Sequence, residues 1–590
     1  MSPHATALAS GVPVLGKPAS TSVINSEADL AASHRPVPAP SSQAHDDDEV
    51  ESAPQRKPST AGQSSVSGET LADRSGEAHG GKSNKRVDLA EKGQANRDDQ
   101  DEDESAPTEG EKGKEGKEEK DPFLVTLEGR EHLNPHTWPV WYRWWLTAFA
   151  GFLVLNATFA SSAPSNLIPS IITYFGVSEE VGVLTISVFV AGYCVGPLLF
   201  GPLSERYGRR LVFLGVWLPY CGFVLGCALS PNIGALIAFR FLSGCFASSP
   251  LTNSGGVIAD LWDADRRGDA LAIFSLMPFA GPAMAPIISG YMEVTGTDWR
   301  WIFWVLLIFA GVCGVGIIFI LPETFVPKIL SNEAKRLRKE TGDDRWHAPL
   351  DKQERGGVRE TLNRTVFKPF RMIFEEPMLA CITLYMALVY GCVYLLFEAI
   401  PIVFGQQHGL NAGETGLIFL ALLTGGVIAV LGYIFYFNKL YVKTQQELKP
   451  KPVPPEERLR PLFFAAPAFA VAFFWFGWTA YPSISIASPI LAVVLLGITI
   501  LYVFLSGFNY LIDTYLYNAA SALAINTVVR SSFGAGFPLF AGQMYRKLGT
   551  PGASSLLGGL AILFIPVPFV LYKYGKKIRS MSKNAVVLDK

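Results

Sequence analysis

Histidine is scarce in this chain and badly placed for metal chemistry. All eight (His4, His34, His45, His79, His132, His136, His347 and His408) lie outside the middles of the apolar runs. A membrane desaturase or hydroxylase needs clustered imidazoles around its metal, so that enzyme class is disfavoured. Cysteine is equally sparse. Cys194, Cys221, Cys227, Cys245, Cys313, Cys381 and Cys392 all fall within apolar runs and show no ligand spacing. They read as packing residues, not as a disulfide framework or a metal site. No ATP-binding loop is expected, which argues against direct ATP hydrolysis. No apolar core follows a basic start, so no secretory leader is expected either. The formal net charge of −2 says little, because the charges sit in the first 140 residues and in loops. Neither a nucleic-acid partner nor a bound cofactor is expected.

What is abundant is apolar sequence, and it is unevenly distributed. Residues 1–140 are rich in Ser, Pro, Gly, Glu, Asp and Lys and poor in large apolar groups. The run Asp98-Asp99-Gln100-Asp101-Glu102-Asp103-Glu104 and the Lys/Glu mixture that follows cannot bury enough surface to fold alone. A disordered cytosolic tail is expected there. From Trp141 onward Leu, Ile, Val, Phe, Ala and Gly dominate. A helix needs about 20 apolar residues to cross a bilayer. On that measure spans are expected near 145–166, 181–201, 211–229, 233–256, 270–292 and 301–321, and again near 378–404, 414–437, 461–480, 488–509, 514–540 and 552–573. The chain therefore reads as an all-α membrane protein of two six-helix bundles, 141–321 and 378–575. A polar linker, 322–377, joins them, and a short tail, 576–590, ends the chain.

Basic residues give the orientation. Short loops rich in Lys and Arg stay on the cytoplasmic side. Even-numbered loops carry Arg206, Arg209, Arg210, Arg266, Arg267, Lys335, Arg336, Arg338 and Lys339, then Lys439, Lys443, Arg458 and Arg460. The opposite loops offer little beyond Arg300, Arg546 and Lys547. Both termini are expected in the cytosol. One inner connection, around Tyr510 to Thr514, has no basic residue and breaks the rule.

Several polar groups stand out against this apolar background. In Gly201-Pro202-Leu203-Ser204-Glu205-Arg206-Tyr207-Gly208-Arg209-Arg210 the glycines permit a tight turn and close helix contact. Glu205, Arg206 and Arg209 can form ion pairs that shut one end of the bundle, with Asp260 a candidate partner. Arg240 lies inside the fourth span, where a charge costs about 2.5–3.5 kcal/mol on insertion scales. It needs an interior partner, or else it snorkels to an interface. Gly281-Pro282 with Pro286 and Gly290 weakens the fifth helix's hydrogen-bond ladder, for function or simply as a kink. Glu398 can line a cavity or sit in solvent. Arg530 can bind substrate or clamp the two halves. Asn156 and Ser162, in the polar end of the first span, and Asn526, one turn before Arg530, are candidate cavity residues.

The loop 201–210 resembles the signature between the second and third helices of the major facilitator superfamily, with Glu205 where Asp is common. Arg240-Phe241-Leu242-Ser243-Gly244 resembles that superfamily's second motif. The Gly281-Pro282 stretch resembles its antiporter motif, with Pro286 and Gly290 in place of the usual glycine pair. Asn134-Pro135 with Trp138-Pro139, Leu321-Pro322-Glu323-Thr324-Phe325, and Tyr510 through Phe540 look like the twelve-span fungal drug:H+ antiporter branch. The resemblance covers residues 133–579. It implies the major facilitator fold, proton coupling at Arg240 and an embedded acid, and a monomer in the cell membrane, the vacuolar membrane being a less favoured site. It also implies export of drugs or secreted metabolites against a proton gradient. Polyamine export, uptake by the same fold, and a non-transporting sensor that signals through its tail are the alternatives. Uptake and export differ in whether deletion lowers or raises intracellular substrate.

Overall fold

The computed structural model describes residues 121–352 and 366–585. The expected tail over 1–120, the linker stretch 353–365 and the last five residues lie outside the described residues. Among the described residues eleven helical stretches are long and apolar enough to cross a membrane. The first six are Val140–Phe175, Glu179–Tyr207, Arg209–Ala228, Ile233–Leu261, Arg266–Val294 and Trp301–Phe319. The second group is Pro377–Gln407, Ala412–Leu448, Pro455–Trp478, Ala487–Thr514 and Ala519–Met581. The last has 63 residues, which at 1.5 Å each would reach ~95 Å, about three hydrocarbon cores. It is two spans, because Gly549 turns the chain with φ 68° and ψ 166°. Such a backbone is open to glycine and strained for other residues. Counting that turn gives twelve passes.

The two groups build similar bundles. The first span runs 23 residues, Val140–Ser162, before breaking at Pro164. The seventh runs 24, Pro377–Ile400, before a π-turn that starts at Pro401. Both breaks follow from proline, which cannot donate to the carbonyl one turn back. Charge pairs repeat as well. Arg209 at the head of the third span bonds Asp260 at the foot of the fourth, 3.2 Å away. Arg458 at the head of the ninth bonds Asp513 at the foot of the tenth at 2.8 Å. That second pair corrects the expected loop at Tyr510–Thr514. Once Asp513 has a guanidinium beside it, the helix continues to Thr514.

Residues 121–139, expected to belong to the polar tail, form a built segment. Val125 N–H donates to the His347 carbonyl (2.9 Å) and His347 N–H to that of Phe123 (3.0 Å). Val125 packs with Leu330, Ala334 and Ala348 in a small satellite core, which holds the linker helix Val326–Thr341. The apolar residues of that helix recur one turn apart, so one face is covered and Lys335 and Arg336 face away.

Asp351 ties the segment together. It accepts from Ser331 Oγ (2.7 Å) and from Arg338 (3.0 Å). Partial burial opposes ionisation, yet these bonds, the Ala348 N–H and Lys335 hold its carboxyl below the usual range. Because the folded pKa is the lower one, the stabilisation is complete above the ordinary carboxylate range and is lost as pH falls through the folded value. Protection against hydrogen exchange over 326–351, taken relative to the intrinsic rate at each pH, should therefore fall in acid for the wild type. Asp351→Asn should exchange fast already at neutral pH.

Candidate functional site

Between the bundles lies a cavity of about 1610 Å³. Its mid-span wall includes Val154, Thr158, Phe279, Tyr390, Tyr394, Phe504 and Arg530, drawn from both bundles. From there the lining runs to the basic-loop end, reaching Glu205, Arg206, Arg267, Lys335, Arg458 and Asp513. At the other end the bundles touch.

That closure is built from small residues and carbonyls. Asn166 Nδ2 donates to the Pro286 carbonyl (2.8 Å) and, across the bundle interface, to that of Ala412 (3.3 Å). A Cβ on Gly416 would overlap the Pro286 carbonyl, and one on Gly290 would overlap that of Ala412. Tyr394 donates to Ser161 Oγ at 2.9 Å, joining the seventh span to the first. Arg546 grips Glu179 through both carboxylate oxygens, at 2.7 and 2.9 Å. Both of these side chains are about half exposed, so the pair is worth only about 0.2–1 kcal/mol. Glu179→Ala should therefore shift closure by no more than about fivefold. The swap Glu179→Arg with Arg546→Glu should restore it, read as labelling of a cysteine placed at Ser165, which is buried and makes no closure bond.

The motif loop does different work. Gly208 sits at φ 95° and ψ 161°, a one-residue turn where a side chain would also strike Glu323 and Lys328. Glu323 accepts the backbone N–H of Arg209 (2.8 Å) and of Arg210 (3.3 Å). A carboxylate there satisfies orphan donors and the positive end of the third helix. Arg209 donates to Asp260 and to Ser204 Oγ (2.6 Å), and Ser204 donates to Asn253 (2.9 Å). Thr324 Oγ1 also donates to Asp260, at 3.2 Å. Arg210 bonds the Ile318 carbonyl at 2.8 Å. These partners belong to the first bundle or, for Glu323 and Thr324, to the start of the linker that follows it, and none to the second bundle. Arg209 holds the first bundle's own foot together, while Glu205 and Arg206 line the open mouth beside Gly201. The expected clamp at this end is thus a bond within one bundle.

Arg240 is buried, which removes the snorkelling alternative. It donates to the carbonyls of Thr185 (2.7 Å), Ala160 (2.7 Å) and Ser161 (3.1 Å) and lies 4.2 Å from the Phe189 ring centre. Pro164 has no N–H for Ala160, so the arginine serves the break in the first span. Gly281 packs against Thr158 and Phe159 of the first span, and Pro282 reaches the cavity wall. Glu398 is half-buried near the closed end, with Glu179 and Arg546 as its charged neighbours, and does not line the cavity.

Of the four residues expected to line the cavity, Arg530 does so. Asn156 instead accepts from Tyr220 Oη at 2.9 Å inside the first bundle. Asn526 donates to Thr383 Oγ1 at 3.3 Å, and Ser162 is buried away from the chamber. The aromatic wall and Glu323 were missed as site residues, although the Leu321–Phe325 spelling pointed at the latter. The polar tail also contains a literal phosphate-loop spelling, Gly76 through Gly81-Lys82-Ser83, outside the described residues and with no apolar strand ahead of it.

Residues 148–539 match the Major Facilitator Superfamily. The chain belongs to that superfamily. This transporter is 40% identical over 473 residues to the MFS-type efflux pump MFS2 of Trichophyton rubrum, covering 80% of this chain and 79% of that one. It is 39% identical to the multidrug transporter mdrA of Aspergillus fumigatus, covering 80% and 77%. It is also 39% identical to the citrinin biosynthesis cluster transporter mrr1 of Monascus ruber, covering 78% and 92%. A solved structure of the proton:xylose symporter XylE shares the fold, with TM-score 0.53 at 16% identity over 73% of this chain and 96% of that one.

Proposed function

We propose that this membrane transporter exports small organic molecules across the cell membrane by alternating access, in exchange for protons. The observation that carries this reading is the central chamber, reachable along its lining from the basic-loop end and shut at the other. Basic loops mark the cytosolic side, so both termini face the cytosol and the chamber stands ready to load from within. Relatives named as efflux pumps and multidrug transporters favour the outward direction. The unit of function is a monomer, because the chamber is complete within one chain.

We assign to Glu398 the uptake of the proton from the outside medium. The residue belongs to the closed end, so parting the bundles there exposes it to that medium. Arg240 spends its donors on carbonyls, and we give it a positioning role. Membrane potential supplies about 2.3 kcal/mol per charge per 100 mV, against about 1.4 kcal/mol for each tenfold substrate gradient. One proton thus sustains more than a tenfold gradient. Polyamine cargo fits poorly, because no carboxylate stands in the mid-span wall.

The test is the purified full chain in vesicles with an imposed pH difference and a panel of labelled amphipathic cargo. Uphill movement should collapse when the gradient is dissipated. Glu398→Gln should lose uphill movement yet keep substrate-for-substrate exchange. A wild type that moves none of the panel under the imposed pH difference would refute the reading.

A further inference from the structure

We propose that the mid-span chamber binds an organic carboxylate, with Arg530 as its counter-charge and the surrounding rings holding its apolar body. The direction of movement rests on the export reading above; the site does not. Arg530 stands 11 residues beyond Ala519 in the eleventh span, ~17 Å from the mouth and near the middle of a bilayer core. Its guanidinium lies 4.8 Å from the Tyr390 ring centre, 5.5 Å from Phe508 and 5.8 Å from Phe504. Its Nε is buried without a hydrogen-bond partner. Among the described residues no carboxylate pairs with it, and the deeper wall contains none.

The cavity's four acids, Glu205, Asp344, Asp351 and Asp513, come from the basic-loop end and the linker; Asp513 is held by Arg458 and Asp351 by Arg338. Arg240 shows what a structural arginine does in the same fold: it fills its donors with carbonyls. Arg530 does not. Ring faces offset part of its desolvation, but they take up none of its N–H donors in conventional hydrogen bonds, and the side chain lines the chamber. A carboxylate matches the planar guanidinium fork with two charge-assisted bonds. Arg206, Arg267, Lys328, Lys335 and Lys368 along the entrance give the approach the same sign, which draws anions inward. Exporting an anion also moves charge down an inside-negative potential.

The experiment uses purified full-length protein and three probes on one ring system: 1-naphthylacetate, its neutral amide and a naphthylethylammonium. Binding is read by competition, at a pH where the acid is fully ionised. Wild type should prefer acid over amide by about tenfold or more and bind the ammonium least. Arg530→Gln should bring acid and amide to within about twofold, and Arg530→Lys should keep about a threefold preference. In wild type, rising salt should erode the acid's advantage, a check that does not depend on how any variant folds. Equal affinity for acid and amide in wild type, or an acid preference that survives in a folded Arg530→Gln, would overturn the proposal. If vesicles export the amide while no acid preference exists, export stands and the anion site falls. If the preference tracks Arg530 but vesicles move nothing, the site stands and export falls.

Discussion

Arg240→Ala is expected to abolish transport and to lower the stability of the purified protein by on the order of 4 kcal/mol. The residue bonds three carbonyls inside the first bundle, and that of Ala160 has lost its helical donor to Pro164. Alanine would leave the carbonyl orphaned, at about 1–3 kcal/mol, and would also empty the volume of a large buried side chain. These costs share one site and do not simply add. Arg240→Lys keeps the charge, but its three donors radiate from one nitrogen and cannot reach carbonyls that the arginine meets with three separate nitrogens, so an intermediate loss is expected. Tm in detergent, measured beside vesicle transport, checks both statements. An alanine variant with the wild-type melting curve would show that the guanidinium is not what supports the broken first span.

Gly416→Val should do the opposite, leaving the fold intact while crippling the cycle. In the closed state a Cβ at 416 overlaps the Pro286 carbonyl and comes 2.9 Å from the Ile287 Cα. Backbone cannot give way as a flexible side chain can. Overpacking of about 3 kcal/mol is expected, and it falls only on the state in which the bundles meet. Converted at 1.4 kcal/mol per decade, the closed-to-open ratio drops by roughly 150-fold. A cysteine placed at Ser165, which is buried and makes no closure bond, should then react readily with an impermeant maleimide added from outside, and turnover should fall. Gly416→Ala should show a milder form of the same shift. Gly536, where a Cβ meets nothing within 4 Å, supplies the control in the eleventh span. Unchanged labelling in the valine variant would mean that the closure does not depend on this contact.

Span number, bundle division and the basic loops could be read residue by residue, since length and composition are local properties. Arg240 was legible as a costly group that needed partners, because a charge in an apolar run has few fates. Its partners were not, since backbone carbonyls have no sequence signature. Asn156, Ser162, Asn526 and Arg530 looked alike as polar residues in spans. Three of them turn inward and one faces the chamber. Membrane helices are apolar on most sides, so the period of the pattern does not reveal which face meets a partner helix, lipid or water.

Taken alone, the chain determined that it is a multi-pass membrane protein built from two sets of long apolar helices, and that the first of them must break at Pro164. Tertiary structure decided the rest. It set Arg209 within one bundle instead of across two, gave Glu323 the head of the third helix, and left Arg530 facing open space among aromatic rings. Spanning is a matter of length and hydropathy along a single segment. A chamber exists only where faces from distant segments fail to touch, and that depends on how whole helices pack.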